Sequence, residues 1–364
     1  MHGVSIATQE QKAMLKSQDE KMNRLMTLLE TMANDKDVIA DANSKHAAEA
    51  PAEDLGAWLL NKITDALVLQ KRDTEIQKYF SRGDCGSSRR RRGAVINKLQ
   101  FCEAITDHPF YEDEEPDVDS FASQPDSDWS TVSRYRGDFD SKTQCQVQSI
   151  LERRRFLGWM KSKYPDLVLV LADLPTSDVG NITAVSVFCA TLITSLTSLR
   201  REDLVLHFFC GLHVDSSDPS PGPRGLVRSL IMQLFTYLSH AGGADLDVIC
   251  DRDYVRDIED QHLGALCQTL RELLWQCEPG AHVYCIIDSV TLFERTVWSQ
   301  DLRTVVRCLR DCVDNGEMPA VFKVMLTSSA LCSPELKDLL TAWNSYPERV
   351  LYLSTEDCLV DNVL

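Results

Sequence analysis

The sequence of 364 residues predicts an α/β fold built on a parallel sheet. Its second part holds five short apolar runs: Leu167–Leu171, Leu204–Phe209, Val283–Ile287, Phe322–Leu326 and Val350–Leu353. They are rich in aliphatic and aromatic residues and mostly do not alternate with polar ones, which is the pattern of strands covered on both faces. Helical patterns stand between them, at Ala184–Leu199, Gly225–Leu238, His262–Gln276 and Asp301–Val313. Strand–helix alternation of this kind is the signature of a doubly wound domain.

Along the chain, residues 1–33 come first. From Thr8 to Ala33 the sequence is rich in Met, Leu, Gln, Glu and Lys and lacks Gly and Pro. Leu15, Met22 and Leu29 are seven apart, and Leu25 and Met32 fill the alternate position, with Gln18 as an interruption. Two readings stay open: a short coiled coil or partner-docking helix, and an amphipathic helix packed on its own chain. Residues 34–93 combine a linker rich in Ala, Asp and Glu with a second amphipathic helix from Leu55 to Tyr79 and a basic run, Arg89–Arg92. The basic run reads as a solvated linker, an acid-binding patch or a nuclear address. Residues 94–143 form a segment ahead of the domain. Its acidic, Pro-containing stretch Tyr111–Asp128 predicts weak order from Asp107 to Thr143. Residues 144–364 carry the α/β domain.

Composition narrows the function. Hydrophobic residues make up 44 % of the chain and charged residues 26 %, which excludes collagen-like, wholly disordered and small disulfide-scaffold classes. The longest apolar runs, such as Leu167–Ala172, fall far short of the ~20 residues of a membrane span. The opening MHGVSIATQEQK has no basic stretch followed by an apolar one, so no signal peptide is expected. Lys and Arg total 38 against 55 Asp and Glu, a net charge of −17, and the average field would repel a nucleic-acid backbone. The 13 cysteines sit mostly within apolar segments, as at Cys189, Cys210 and Cys285, and read as reduced thiols. The expectation is a cytoplasmic protein away from the membrane, with the nucleus open to it through Arg89–Arg92.

Ligands of open α/β sheets bind at the carboxyl ends of strands, so the loops there matter most. The loop after the first strand runs from Ala172 to Thr183, where a phosphate-binding loop would stand. Such a loop needs inward N–H groups, glycines, a lysine for the outer phosphates and a hydroxyl for magnesium. In register, Gly180 matches the second glycine, but Pro175 replaces the first, Asn181 the lysine and Ile182 the Ser/Thr. Thr183 is the nearest substitute hydroxyl, and Asp173 and Asp178 add negative charge. A charge-assisted hydrogen bond contributes roughly 1.5–3 kcal/mol, so losing the lysine alone weakens a triphosphate by about tenfold to a hundredfold. A purely structural connection is the other reading of this loop.

The third strand ends in Asp288, as a magnesium-binding Walker B acid would be presented. A turn or helix cap is the alternative, since Ser289 follows. The next acid, Glu294, reads as a solvated or helix-start residue, or as a displaced catalytic acid. Thr327–Ser328–Ser329 at the end of the fourth strand reads as a cap for the following helix, with γ-phosphate sensing as the alternative. Cys210 and His213, with Cys189 nearby, offer too few ligands for zinc. Cys308 and Cys312 mark a buried helix face. His207 reads as a core histidine.

The order of these segments resembles a known family. Phe156–Ser162 precedes the first strand, the phosphate-loop-like turn follows, and then come Leu206–His213, Gly222–Leu230, Tyr284–Asp288 and Phe322–Ser328. With Ile96–Phe101 upstream, residues Ala94 to Leu353 resemble the fungal NACHT-like (nephrocystin-3-like N-terminal) NTPase domains of the STAND class. The resemblance implies a P-loop NTPase-like fold with a five-stranded parallel sheet in the order 5-1-4-3-2, flanked by helices and preceded by a helical extension. It makes the turn Gly180–Thr183 the Walker A equivalent and Asp288 the Walker B acid. The sequence departs from the family at both centres: the glycine–lysine–serine core is absent, and Thr291 and Leu292 stand where acids are expected.

Eroded motifs within an intact framework suggest a non-catalytic, NTPase-derived interaction or scaffold module of intracellular signalling. It would use no cofactor and would recruit protein partners, or self-associate, through its N-terminal helices. The alternative is a STAND-type NTPase that binds ATP or GTP with magnesium through Gly180, Asn181, Thr183 and Asp288. A nuclear regulator using Arg89–Arg92 is a third reading.

Overall fold

Each apolar run becomes a strand because its residues are claimed from both sides. The computed structural model describes residues 96–106, 118–172, 181–200, 202–215, 218–249, 251–294, 297–328, 332–341 and 349–353, all within one unit of the chain. The helices read at Thr8–Ala33 and Leu55–Tyr79, the run Arg89–Arg92 and the loop residues Asp173–Gly180 lie outside the described residues.

Four helices precede the first strand: α1 (Lys98–Thr106), α2 (Val118–Ser133), α3 (Ser141–Glu152) and α4 (Arg154–Lys161). Then follow β1 (Asp166–Ala172), α5 (Ala184–Leu199), β2 (Leu204–Phe209), α6 (Gly222–His240), α7 (Arg252–Glu259) and α8 (Leu263–Leu274). The rest is β3 (His282–Asp288), α9 (Ser299–Asp314), β4 (Val321–Ser328), α10 (Pro334–Thr341) and β5 (Val350–Leu353). All five strands pair in parallel, in the order β2-β3-β4-β1-β5. From its other edge the sheet reads 5-1-4-3-2. Parallel neighbours need a crossover, and each strand-to-strand connection carries at least one described helix.

In β1, Leu167, Leu169 and Leu171 join the core on one face while Val168 and Val170 join the core on the other. The first core is completed by apolar faces of α1 and α6 to α10, the second by α2 to α5. Both faces of the strand are therefore apolar, which is why the runs do not alternate. β2 is an edge strand, and a side chain covers its exposed backbone. Gln233 of α6 accepts from the His207 N–H at 3.0 Å and donates to the His207 carbonyl at 2.9 Å.

The expected weak order between Asp107 and Thr143 is corrected in large part. α2, the turn Arg134–Gly137 and the start of α3 fall within it. Composition misleads here because the partners that fix α2 are distant in sequence. Trp129 donates from Nε1 to the Ala190 carbonyl at 3.1 Å and to Thr194 Oγ1 at 3.2 Å. Val132 is fully buried, and the Pro125 carbonyl meets His207 Nε2 at 3.1 Å.

Candidate functional site

Of the residues singled out for chemistry, Asp288, Thr327 and Ser328 stand at the carboxyl ends of strands and Thr183 at the start of α5. Asp288 closes β3 and is 2 % exposed. Thr327 Oγ1 at the end of β4 donates to Asp288 Oδ1 at 2.7 Å, and Ser289 Oγ donates to Oδ2 at 3.0 Å. The Ser289 N–H donates to Thr327 Oγ1 at 3.0 Å, which closes a ring of three residues. Cys189 Sγ of α5 lies 4.0 Å from Oδ1, and the Ser186 hydroxyl one turn earlier is a further hydrogen-bond partner. None of these partners is cationic. Burial pushes the Asp288 carboxyl above the ordinary carboxylate range, and the bonds from Ser186, Thr327 and Ser289 oppose that shift without cancelling it. The thiols of Cys189 and Cys210 are pushed up as well, first by burial and then by the Asp288 charge.

The first turn of α5 faces this acid. Thr183 is its N-cap and forms a capping box with Ser186. The Ser186 N–H donates to Thr183 Oγ1 at 3.2 Å, and the Thr183 N–H donates to Ser186 Oγ at 3.0 Å. Thr183 and Asp288 thus meet through Ser186 rather than directly. Asn181 turns elsewhere, its Nδ2 donating to the Gly211 carbonyl at 3.2 Å. Gly211 is required at this approach, since a Cβ there would lie 2.5 Å from the Asn181 carbonyl oxygen. Ile182, in the position of the magnesium hydroxyl, is buried in the core. Gly180 lies outside the described residues.

Sequence reasoning missed Ser186. Its signal was present, because a hydroxyl three residues after Thr183 is the spacing of a capping box. The conformation of Ser289 had no such signal. Its φ of 56° lies in the left-handed region, which a non-glycine residue occupies only where its surroundings hold it. The bonds of Ser289 to Asp288 and Thr327 supply that hold.

The neighbouring hydroxyls also depart from expectation. Of Thr327–Ser328–Ser329, read as a helix cap, Ser329 lies outside the described residues, while Thr327 and Ser328 bond sideways to the end of β3 and the turn after it, Ser328 Oγ reaching Thr291 Oγ1 at 2.5 Å. Their strand's register with β3 places them there, so local sequence could not decide it. The capping duty falls to Ser333, whose Oγ accepts from the Leu336 N–H at 3.2 Å. Glu294 is half-buried, and its carboxylate accepts from the hydroxyl and N–H of Ser333, ahead of α10. His207 is a core histidine, with burial lowering its pKa.

His213, at the turn after β2, is 2 % exposed and has a carboxylate at each ring nitrogen. Asp128 Oδ2 of α2 is 2.9 Å from Nε2, and Asp218 Oδ1 is 2.9 Å from Nδ1. The ring stacks on Phe208, with centroids 4.5 Å apart. Among the described residues, no group of three or more His, Cys, Asp or Glu is arranged to hold a metal ion. A cleft of about 390 Å³ opens between the N-termini of α6 and α9, lined by Pro221, Pro223, Arg224, Gln261, Trp298 and Asp301 among others. Arg224 and Asp301 bridge it with an ion pair at 3.0 Å. The described site residues Asn181, Thr183 and Asp288 do not line it.

The donor set around Asp288 fits a magnesium–triphosphate poorly. Its described bonding partners carry hydroxyls and a thiol and no positive charge, and the Asn181 amide is engaged with Gly211. Compared with known proteins, the chain matches no family model and no curated protein. Among the described residues no helix is long and apolar enough to cross a membrane.

Proposed function

We propose that the chain is a non-catalytic interaction or scaffold module whose α/β domain derives from a P-loop NTPase. One observation carries this reading. The polar groups that stand where nucleotide would be gripped are bonded to one another: Asp288 to Thr327 and Ser289, Thr183 to Ser186, and Asn181 to Gly211. A site kept for an exchanging ligand would leave such groups open to it. The sheet order β2-β3-β4-β1-β5, with an acid at the end of β3, supports the derivation. In this reading the N-terminal helices recruit protein partners or pair with a second copy.

Calorimetry with magnesium and ATP, GTP, ADP or GDP tests the proposal. The expected result is no saturable heat and no shift in melting temperature at millimolar nucleotide. Saturable binding, or hydrolysis that Asp288→Ala abolishes, would overturn it.

A second reading rests on a different observation. Asp288 reaches the first turn of α5 through Ser186, the juxtaposition of acid and helix N-terminus that a magnesium–nucleotide site uses. Nucleotide binding with atypical ligands would follow from it. Asn181→Lys then discriminates: tighter nucleotide binding in this variant, with measurable binding by the wild type, supports the second reading. A wild type that does not bind supports the first.

A further inference from the structure

The contacts of His213 count its protons. The ring is 2 % exposed, and each of its nitrogens has a carboxylate oxygen at 2.9 Å, Asp128 Oδ2 at Nε2 and Asp218 Oδ1 at Nδ1. A carboxylate only accepts, and a neutral imidazole has one N–H to give. Both contacts are hydrogen bonds only when the ring carries two protons. A carboxyl group ordinarily ionises near pH ~4 and an imidazolium near ~6.5, so the extra proton belongs to the ring. Among the described residues, the charged groups that face it are these two acids, one from α2 and one from its own turn. Phe208 of β2 stacks on the ring, and Phe293 of the turn after β3 packs on Phe208. His207, the other titratable ring of β2, is bonded to the Pro125 carbonyl, with the charges of Asp126 and Asp128 near it.

The two acids are not equally placed to lose their partner. The Asp128 side chain is 9 % exposed, and its other oxygen accepts from Gln124 Nε2 at 2.9 Å within α2. The Asp218 side chain is 18 % exposed, and its Oδ1 also accepts from the Ser220 N–H at 2.7 Å. A carboxylate without a partner costs least where water reaches it. Loss of a proton therefore leaves the N–H at Nε2, facing Asp128, and a lone pair at Nδ1, facing the Asp218 oxygen. That second contact becomes repulsive, and Asp218 can turn to water. The Ser220 N–H then loses its acceptor. The ends of the turn stay tied, because the Gly222 N–H donates to the His213 carbonyl at 3.1 Å. Ser220 packs on the first turn of α6, where a Cβ on Gly225 would lie 2.0 Å from its carbonyl oxygen, and Pro221 beside it lines the cleft.

We propose that His213 is a proton-operated clasp: charged, it holds α2 and the run Asp218–Ser220 to one ring, and neutral, it keeps Asp128 and releases Asp218. The clasp loosens the run that leads into Pro221 at the wall of the cleft, and it leaves α2 in place. The sign is fixed by the surroundings. Burial alone would lower the ring's pKa, and the bonds and charges of Asp128 and Asp218 more than offset it. The clasp is therefore closed below about pH 6.5 and opens as pH rises through the folded value.

Nuclear magnetic resonance of the full nitrogen-labelled chain tests this in the wild type, where no variant has to fold. Correlations between the ring's carbon-bound protons and its nitrogens report the proton at each nitrogen. The expected result is a doubly protonated His213 at about pH 5.5, a midpoint above about 6.5, and a proton on Nε2 alone beyond it. Across that midpoint the protection of the Ser220 amide from hydrogen exchange, corrected for its intrinsic rate, should fall at least about tenfold, the loss of one bond to a charged acceptor. In His213→Gln this pH dependence should vanish. A ring already neutral in mild acid, a last proton kept on Nδ1, Ser220 protection unchanged across the midpoint, or a pH dependence that survives in His213→Gln would each overturn the proposal.

Discussion

At the amino ends of the strands Lys323 is fully buried, and at their carboxyl ends, on the same face, Asp288 is 2 % exposed. Lys323 has acceptors for its protons, although burial and then the Arg200 charge disfavour its charged form. Lys323 Nζ donates to the carbonyls of Trp159 and Met160 at 3.0 and 3.1 Å, in the last turn of α4, where the helix dipole favours positive charge. It lies 5.5 Å from the Tyr284 ring centroid. Arg200 donates to Tyr284 Oη at 3.1 Å and to Asp203 Oδ2 at 2.8 Å, and Arg155 grips Asp166 through two bonds of 2.8 Å. The acid has hydroxyls and no counter-charge among its bonding partners. One end is an ionic cluster that locks α4, α5 and the sheet together. The other is a carboxyl held by neutral donors, with its ionised form disfavoured. This contrast shows that an acid at a strand's carboxyl end is not by itself evidence of a cation site; the charges around it decide.

The largest expected effect comes from breaking the amino end. Lys323→Ala leaves two helix carbonyls unpaired and a void beside Tyr284, and should lower unfolding stability by about 3–5 kcal/mol in urea titration. Lys323→Met keeps the volume and should lose less. A loss in Lys323→Ala below about 1 kcal/mol would remove the cluster's structural role. The pH dependence has a definite sign. Burial first, then the Arg200 charge, lowers Lys323 to about 7, below its unfolded value of about 10.4. Between those values the unfolded chain holds more protons, so stability rises as pH rises, and Lys323→Met should flatten that rise.

The carboxyl end should answer more weakly. Thr327→Val removes the donor to Asp288 Oδ1 and the acceptor of the Ser289 N–H. The expected loss is about 1–3 kcal/mol, since a buried carboxyl oxygen and a buried N–H each lose a partner. Burial raises the Asp288 pKa, so ionising it costs the fold stability as pH rises through the folded value. Asp288→Asn should therefore gain on the wild type at alkaline pH and lose that advantage in acid. An Asp288→Asn variant that loses stability most at alkaline pH would show an ionised Asp288 paired with a cation after all.

Much of this contrast was legible in the sequence, but unevenly. The five runs were, because a strand covered on both faces writes its burial into consecutive residues. β2 and β5 have the predicted bounds, β1 and β3 extend them by one residue at each end, and β4 by one residue at its start and two at its end. α5 too matches its prediction, at Ala184–Leu199. The short helices α7 and α10 were not legible, since eight residues carry little periodic signal. Asp288 was found as a strand end followed by a turn, yet its partners were not, because Thr327 reaches it only through the register of β4 on β3. Lys323 reads as one polar residue in an apolar run, and nothing local reveals that the end of α4 accepts its protons.

The smallest effect sharpens the comparison, because His213 is the charge at the carboxyl end that does have counter-charges. Burial alone would lower its pKa; the bonds and charges of Asp128 and Asp218 outweigh burial and raise it. A histidine whose folded pKa exceeds its unfolded value stabilises fully below about 6.5, and that contribution is lost as pH rises through the folded value. Asp218→Asn removes one of the two carboxylates while Asp128 continues to tie α2 to the turn after β2. The variant should lose about 1 kcal/mol in mild acid, where the ring is charged, and less at alkaline pH, where the ring is neutral in wild type and variant alike. Urea unfolding at the two pH values reads the difference directly. An equal loss at both would mean that a neutral imidazole holds α2 in place.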